Sequence, residues 1–348
     1  TVNRFLRWRF GEEDTRRLSW ELYVAVLLVC MVFLDGLKQL RADGGTVRGL
    51  HVALIQGNIP QRVKFDPGEK PMIMERYRAL TEKAALLQPE LIIWPETGTP
   101  GALRYDAESY TLVTNLAALA KAPLLVGTMD VQGGDWFNAA ALVQQDGRIS
   151  GLYHKIHLVA FGEYVPLRKI FPWMKWLTPI DGSFERGTTY SVFALGTARF
   201  GVVICFEDTI PDLYRRFILR GVDFMVNLTN DAWFKESPAA EMHLANAVFR
   251  AVESRRPLIR CTNNGVTCVV DEFGFVKPER RLPPHQEGLL VCTVPLAGAG
   301  AQTFYTRHGD WFVALCALVS VFGCGWLAWR NWKRACCRAP ASTTVGEV

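Results

Sequence analysis

Histidine, paired cysteines and long runs of one charge are all scarce in this chain, and each scarcity removes a class of function. There are six histidines in 348 residues. His154 and His157 sit three apart, but no second pair of ligands follows at a zinc-site interval, so a metal is not expected. The nine cysteines include no C-x-x-C, and the adjacent Cys336 and Cys337 lie in a basic tail, which argues against a disulfide framework. No G-x-S-x-G marks a serine nucleophile, and no ATP site is evident. The net charge is only +5, with basic residues gathered at the two ends, so a nucleic-acid partner is not expected. The first residue is Thr1, without an initiator methionine or a visible signal-peptide cleavage site, and a fragment of a longer chain is the expectation.

Apolar residues, by contrast, are plentiful. They make up 49% of the chain, against 21% charged, enough for a large packed core. Trp311 to Trp329 is free of charge and has tryptophans at both ends, as suits a bilayer-spanning helix. Leu22 to Leu34 is continuously apolar, and flanking apolar residues extend it to 18–40, with Lys38 able to snorkel. Arg4, Arg7, Arg9, Arg16 and Arg17 precede the first stretch, and Arg330, Lys333, Arg334 and Arg338 follow the second. The positive-inside tendency then puts both ends in the cytoplasm and the middle outside it. The expected order is a cytoplasmic basic segment 1–17, a span 18–40, a catalytic domain 48–310, a span 311–329 and a basic tail 330–348.

The middle alternates short apolar runs with helical patterns. Strands are expected over His51–Gln56, Leu91–Trp94, Leu124–Thr128, Ala139–Gln144, Phe200–Cys205, Phe224–Leu228, Leu258–Thr262 and Thr267–Asp271. Helices are expected over Met72–Gln88, Tyr110–Ala120, Pro211–Arg220 and Glu241–Ser254. Such alternation predicts an α/β domain.

Reactive groups in α/β sheets gather where strands end. Here LIIWPE delivers Glu96, GLYHKIHL carries Lys155, and RFGVVICFED delivers Cys205. Singly, each has a plainer explanation: a buried small hydrophobe, a turn carboxylate, a solvated lysine. Together they supply what thiol chemistry needs, namely a base for the thiol and a cation for the thiolate and the oxyanion. Cys261, Cys268 and Cys292 have no base beside them, whereas a cysteine–histidine dyad with His154 or His157 stays open at this stage.

The segments LIIWPET, HKIHLVAFGEYVPL, GVVICFED, NLTNDAWF and RPLIRCTNNGVT resemble the nitrilase superfamily and, within it, the apolipoprotein N-acyltransferase family of bacterial inner membranes. The resemblance implies a four-layer αββα sandwich flanked by transmembrane helices. It implies Glu96 as general base, Lys155 as oxyanion stabiliser and Cys205 as nucleophile. Glu163 and Glu207 would support the site, and Asn138, Phe206, Trp233 and Phe234 would bind substrate. Two departures stand out: Lys235 follows NDAWF where glycine is common, and Phe206 replaces a frequent tyrosine. The implied reaction moves an acyl chain from a phospholipid donor to the α-amino group of a diacylglyceryl apolipoprotein acceptor. It passes through a thioester and needs no cofactor or metal. The expected location is the bacterial inner membrane, multi-pass, with a monomeric chain and the catalytic domain on the periplasmic side. A membrane-tethered amidase or nitrilase acting on a small C–N substrate, and a catalytically silent lipid-binding module, are the rival readings.

Overall fold

The computed structural model describes residues 20–41, 48–166, 183–296 and 302–336, so the basic segment 1–17 and the tail beyond Cys336 lie outside the described residues. Helix α1 (Trp20–Arg41) forms a unit by itself. Its stretch Leu22–Leu40 is long and apolar enough to cross a membrane.

From Gly49 onward the chain builds two six-stranded sheets. The first contains β1 (Gly49–Gln56), β2 (Leu91–Ile93), β3 (Leu124–Gln132), β4 (Asp135–Val143), β5 (Ile149–His154) and β12 (Gly288–Pro295), in the order β12-β1-β2-β3-β4-β5. The second contains β6 (Val192–Leu195), β7 (Ala198–Ile204), β8 (Phe224–Thr229), β9 (Leu258–Thr262), β10 (Cys268–Val270) and β11 (Val276–Arg281), in the order β11-β10-β9-β8-β7-β6. At each centre three strands run parallel, β1-β2-β3 and β7-β8-β9, and antiparallel strands complete both edges. The parallel strands are buried on both faces and read as unbroken apolar runs; hence β2 and β8 were legible from sequence.

Helices α2 (Lys70–Ala85) and α3 (Ala107–Ala120) cover the first sheet. Ile73, Tyr77, Leu80, Leu112, Val113 and Leu116 pack on Ala53, Ile55, Ile92 and Trp94. Asp106 caps α3 by accepting from the Ser109 N–H at 3.2 Å. Helices α4 (Pro211–Ile218) and α5 (Ala239–Ser254) cover the second sheet through Leu213, Phe217, Leu244 and Ala247. Between the sheets, Leu50, Val52, Leu54 and Ile93 meet Phe200, Val202, Leu228 and Cys261 in one core. Full burial of each such aliphatic or aromatic side chain contributes about 1.5–3 kcal/mol. The four layers are therefore helix, sheet, sheet, helix.

A short helix α6 (Phe304–His308) leads into α7 (Trp311–Cys336). The joint is tied down by Arg215, whose Nε donates to the Thr306 carbonyl at 2.7 Å, and by the Thr303 hydroxyl, which donates to the Glu253 carbonyl at 2.6 Å. Within α7, Trp311–Lys333 is again long and apolar enough to cross a membrane, four residues further than the sequence reading took it.

Candidate active site

Three strand exits bring the chemistry together. After β2, Pro95 breaks the ladder and Glu96 turns inward, 7% exposed. The turn lies so close to β3 that a Cβ at Gly127 would overlap the Pro95 carbonyl, so only glycine fits there. After β5, Lys155 is 1% exposed, with its N–H on the Asn138 carbonyl at 2.8 Å. After β7, Cys205 opens a tight 3-10 turn with φ +55°. That left-handed conformation is costly for a side-chain-bearing residue and points its thiol out of the strand.

Lys155, Glu163 and Asn138 form a knot around Glu96. The Lys155 ammonium lies 3.6 Å from Glu96 Oε1 and 2.8 Å from Glu163 Oε1. The Asn138 amide donates to the same two oxygens, at 2.7 Å and 2.9 Å. The second Glu163 oxygen accepts from the Val159 N–H at 2.9 Å. Burial works against the lysine charge, but Glu96, Cys205 and Glu163 hold its pKa well above the usual lysine range. Burial, reinforced by Glu96, pushes the Cys205 thiol far up, and Lys155 opposes the rise. The resting cysteine is accordingly a thiol, which must surrender its proton to a neighbour before it can attack.

Glu96, Lys155 and Cys205 line one cavity of about 450 Å³ together with Asn138, Glu163, Phe206, Trp233 and Phe234. Eight of the nine site residues named from sequence meet there. Glu207, named as a supporting residue, does not: it is wholly buried and is not part of the cavity lining. Its carboxylate accepts from the N–H groups of Ile156 and His157 at 2.7 and 2.9 Å and of Ile204 at 2.8 Å, and from the Tyr153 hydroxyl at 2.9 Å. It thereby locks the segment after Lys155 to the strand before Cys205. Burial pushes the Glu207 carboxyl up to about 7, and Lys155 and these donors resist that rise.

The cysteine–histidine dyad is set aside, because neither histidine lines the cavity. His154 is engaged by Asp130 at 2.7 Å and stacks on Phe137, and His157 is held aside through its N–H. A larger groove of about 560 Å³ between α2 and α3 holds neither cysteine nor histidine.

Two features escaped the sequence. Lys64, 4% exposed, donates to the Glu96 carbonyl at 2.9 Å; burial lowers its pKa to about 8, with Glu96 opposing. Behind Phe206, the buried side chains of Asp208, Asp231, His243 and Arg260 form a closed ionic cluster. Nothing local marks either one, since a lone loop lysine reads as solvated and the cluster joins residues up to 52 apart. Among the described residues no group of three acidic, His or Cys side chains is arranged to hold a metal.

A carboxylate, an ammonium and a thiol at one cavity wall on a two-sheet αββα frame decide the family. The carbon-nitrogen hydrolase family model matches residues 51–303. The chain belongs to the carbon-nitrogen hydrolase family. Among curated relatives, it is 36% identical over 300 residues to apolipoprotein N-acyltransferase of Geobacter metallireducens, covering 85% of this chain and 56% of that protein. With the Bdellovibrio bacteriovorus protein of the same name it shares 34% over 351 residues, covering 94% and 63%. The chain thus spans little more than half the length of these relatives. In fold, this carbon-nitrogen hydrolase is similar to a family member from Xanthomonas campestris with an arsenic adduct in its active site. The TM-score is 0.57 at 20% identity, covering 78% of this chain and 97% of that one. It is also similar to an amidase from Nesterenkonia, with a TM-score of 0.56 at 18% identity, covering 76% and 98%.

Proposed function

We propose that this chain transfers an acyl group from a membrane phospholipid to the α-amino group of an N-terminal diacylglyceryl-cysteine on an apolipoprotein, through a thioester on Cys205. The observation that carries the proposal is the meeting of Glu96, Lys155 and Cys205 at the wall of a cavity lined by Phe65, Phe184, Phe206, Trp233 and Phe234. An acyl chain needs such an apolar, aromatic surface; a small amide does not. The names of the relatives point the same way.

Glu96 takes the Cys205 proton as sulfur attacks the ester carbonyl, and Lys155 faces the oxyanion. Collapse breaks the ester C–O bond, and Glu96 returns the proton to the departing lysophospholipid. The acceptor amine then attacks the thioester, Glu96 takes a proton from nitrogen, and sulfur leaves to regain it. A thioester is activated enough to acylate an amine, so the scheme needs neither nucleotide nor metal. Asn138 and Glu163 hold Glu96 and Lys155 in register, while Phe206, Trp233 and Phe234 grip the acyl chain.

The apolar helices α1 and α7 anchor the chain in the bacterial inner membrane, with the catalytic domain on the periplasmic side and the protein a monomer. The basic flanks named from the sequence support that orientation.

A membrane-tethered amidase would use the same triad with water as acceptor, a reading favoured by the family at large. Incubation with labelled phospholipid and a diacylglyceryl-cysteine peptide separates the two. Amide-linked label on the peptide is the expected product. Turnover of small amides without lipid, and an unlabelled peptide, would establish the amidase instead.

A further inference from the structure

The contacts of the ionic cluster behind Phe206 admit two hydrogen-bond patterns, according to the protonation of His243. His243 of α5 sets Nε2 at 2.9 Å from Asp208 and Nδ1 at 2.9 Å from Asp231. Arg260 of β9 reaches both carboxylates, and its Nη2 also lies 2.9 Å from His243 Nδ1. Asn227 of β8 donates to Asp208, and also to the Cys205 carbonyl at 3.3 Å. Carboxylates only accept, so a doubly protonated ring donates to both acids. A neutral ring keeps Nε2–H on Asp208 and turns Nδ1 into an acceptor for Arg260, so the direct bond from His243 to Asp231 is lost and Asp231 is left on Arg260 alone. Asp231 opens the short turn Asp231–Phe234, and Asp208 lies three residues from the nucleophile. The Phe206 ring stacks on His243 at 4.7 Å, and Phe234 meets both rings edge-on.

We infer that His243 is a positioning residue that, when protonated, latches the turn carrying Trp233 and Phe234 to the Cys205 elbow and so shapes the aromatic wall of the acyl cavity. The latch rests on the acyl-donor reading only for what the wall binds. Burial and Arg260 work against the imidazolium, yet the hydrogen bonds of Asp208 and Asp231 raise the His243 pKa above its ordinary value. Below the ordinary histidine pKa the latch is fully closed. As pH climbs through the raised pKa, Nδ1 passes to Arg260 and the turn loosens.

The test follows amide hydrogen exchange of residues 230–236 in the full chain in detergent micelles, normalised to intrinsic rates, from pH 6 to 9. In parallel, hydroxylamine-labile label on Cys205 from radiolabelled phosphatidylethanolamine is measured at each pH. In the wild type, normalised exchange rises by at most about ten-fold per pH unit between the ordinary histidine pKa and the raised one and levels off above it, and acyl loading falls over the same range. His243→Gln exchanges fast at every pH and needs about ten-fold more phospholipid for half-loading, while iodoacetamide alkylation of Cys205 stays within about two-fold of wild type. Flat wild-type exchange across the range overturns the latch, as does a His243→Gln variant that keeps the wild-type pH profile. Should His243→Gln fail to fold, the wild-type exchange profile alone decides. A wild type that takes no acyl label yet shows the exchange profile keeps the latch and overturns the acyl-donor reading.

Discussion

The Tyr153 hydroxyl donates to both oxygens of Glu207 at 2.9 Å, joining the last strand of one sheet to the exit of β7 in the other. Because Lys155 follows two residues after Tyr153 and Cys205 lies two residues before Glu207, this contact sets the ammonium against the thiol. The clamp sets the geometry of the proposed triad although Glu207 and Tyr153 do not line the cavity.

Glu207→Leu is therefore expected to be severe. It strands the N–H groups of Ile156, His157 and Ile204, each costing about 1–3 kcal/mol when left unsatisfied. Tyr153→Phe, which removes one donor and keeps the ring, is expected to cost about 1 kcal/mol. Urea denaturation of both variants checks the order of the two effects.

Glu163→Gln tests the knot around Glu96. The charge facing Lys155 at 2.8 Å is lost and a weaker, neutral amide acceptor takes its place, while the side-chain volume is kept. Acyl-enzyme formation is expected to fall about a hundred-fold, the scale of removing one preorganised electrostatic contact. The unfolding midpoint should change little. Single-turnover labelling set beside thermal melting distinguishes a positioning effect from a folding defect.

Legibility in the sequence followed burial. The central strands β2, β7 and β8 were visible because both faces are buried and the run is unbroken. Strands β5, β6, β11 and β12 were not, because their residues are half-buried or charged, as in VKPERR of β11, and only pairing to a neighbour makes them strands. Glu96 and Cys205 could be found because each closes an apolar run. Lys155 was picked out in GLYHKIHL as a candidate near a strand exit, although β5 itself was not named as a strand. The roles of Lys64, His243 and Arg260 arise only from long-range contact.

Lys64 offers a pH test with a definite sign. Its folded pKa of about 8 lies below the ordinary lysine value of 10.5, so between these limits the unfolded chain binds the extra proton. Stability attributable to Lys64 should rise with pH across that window. Lys64→Met should abolish that rise. The difference between the two proteins in urea midpoint, measured from pH 7 to 10, carries the result.

Trp233 is 64% exposed and lines the cavity with Phe234. If these rings hold the acyl chain, Trp233→Ala should weaken loading from phospholipid about ten-fold, through loss of apolar contact. Alkylation of Cys205 by iodoacetamide should stay unchanged, because that small reagent does not use the wall. Parallel loss of both reactions would assign Trp233 a structural role only.

The most direct test of a catalytic thioester is peptide mass spectrometry of the full chain after exposure to phospholipid vesicles. Expected is a fatty-acyl mass on the Cys205 peptide, removed by neutral hydroxylamine and missing from Cys205→Ala and Glu96→Gln. An unmodified Cys205 peptide under these conditions, or an acyl group that persists in Cys205→Ala, would contradict the mechanism.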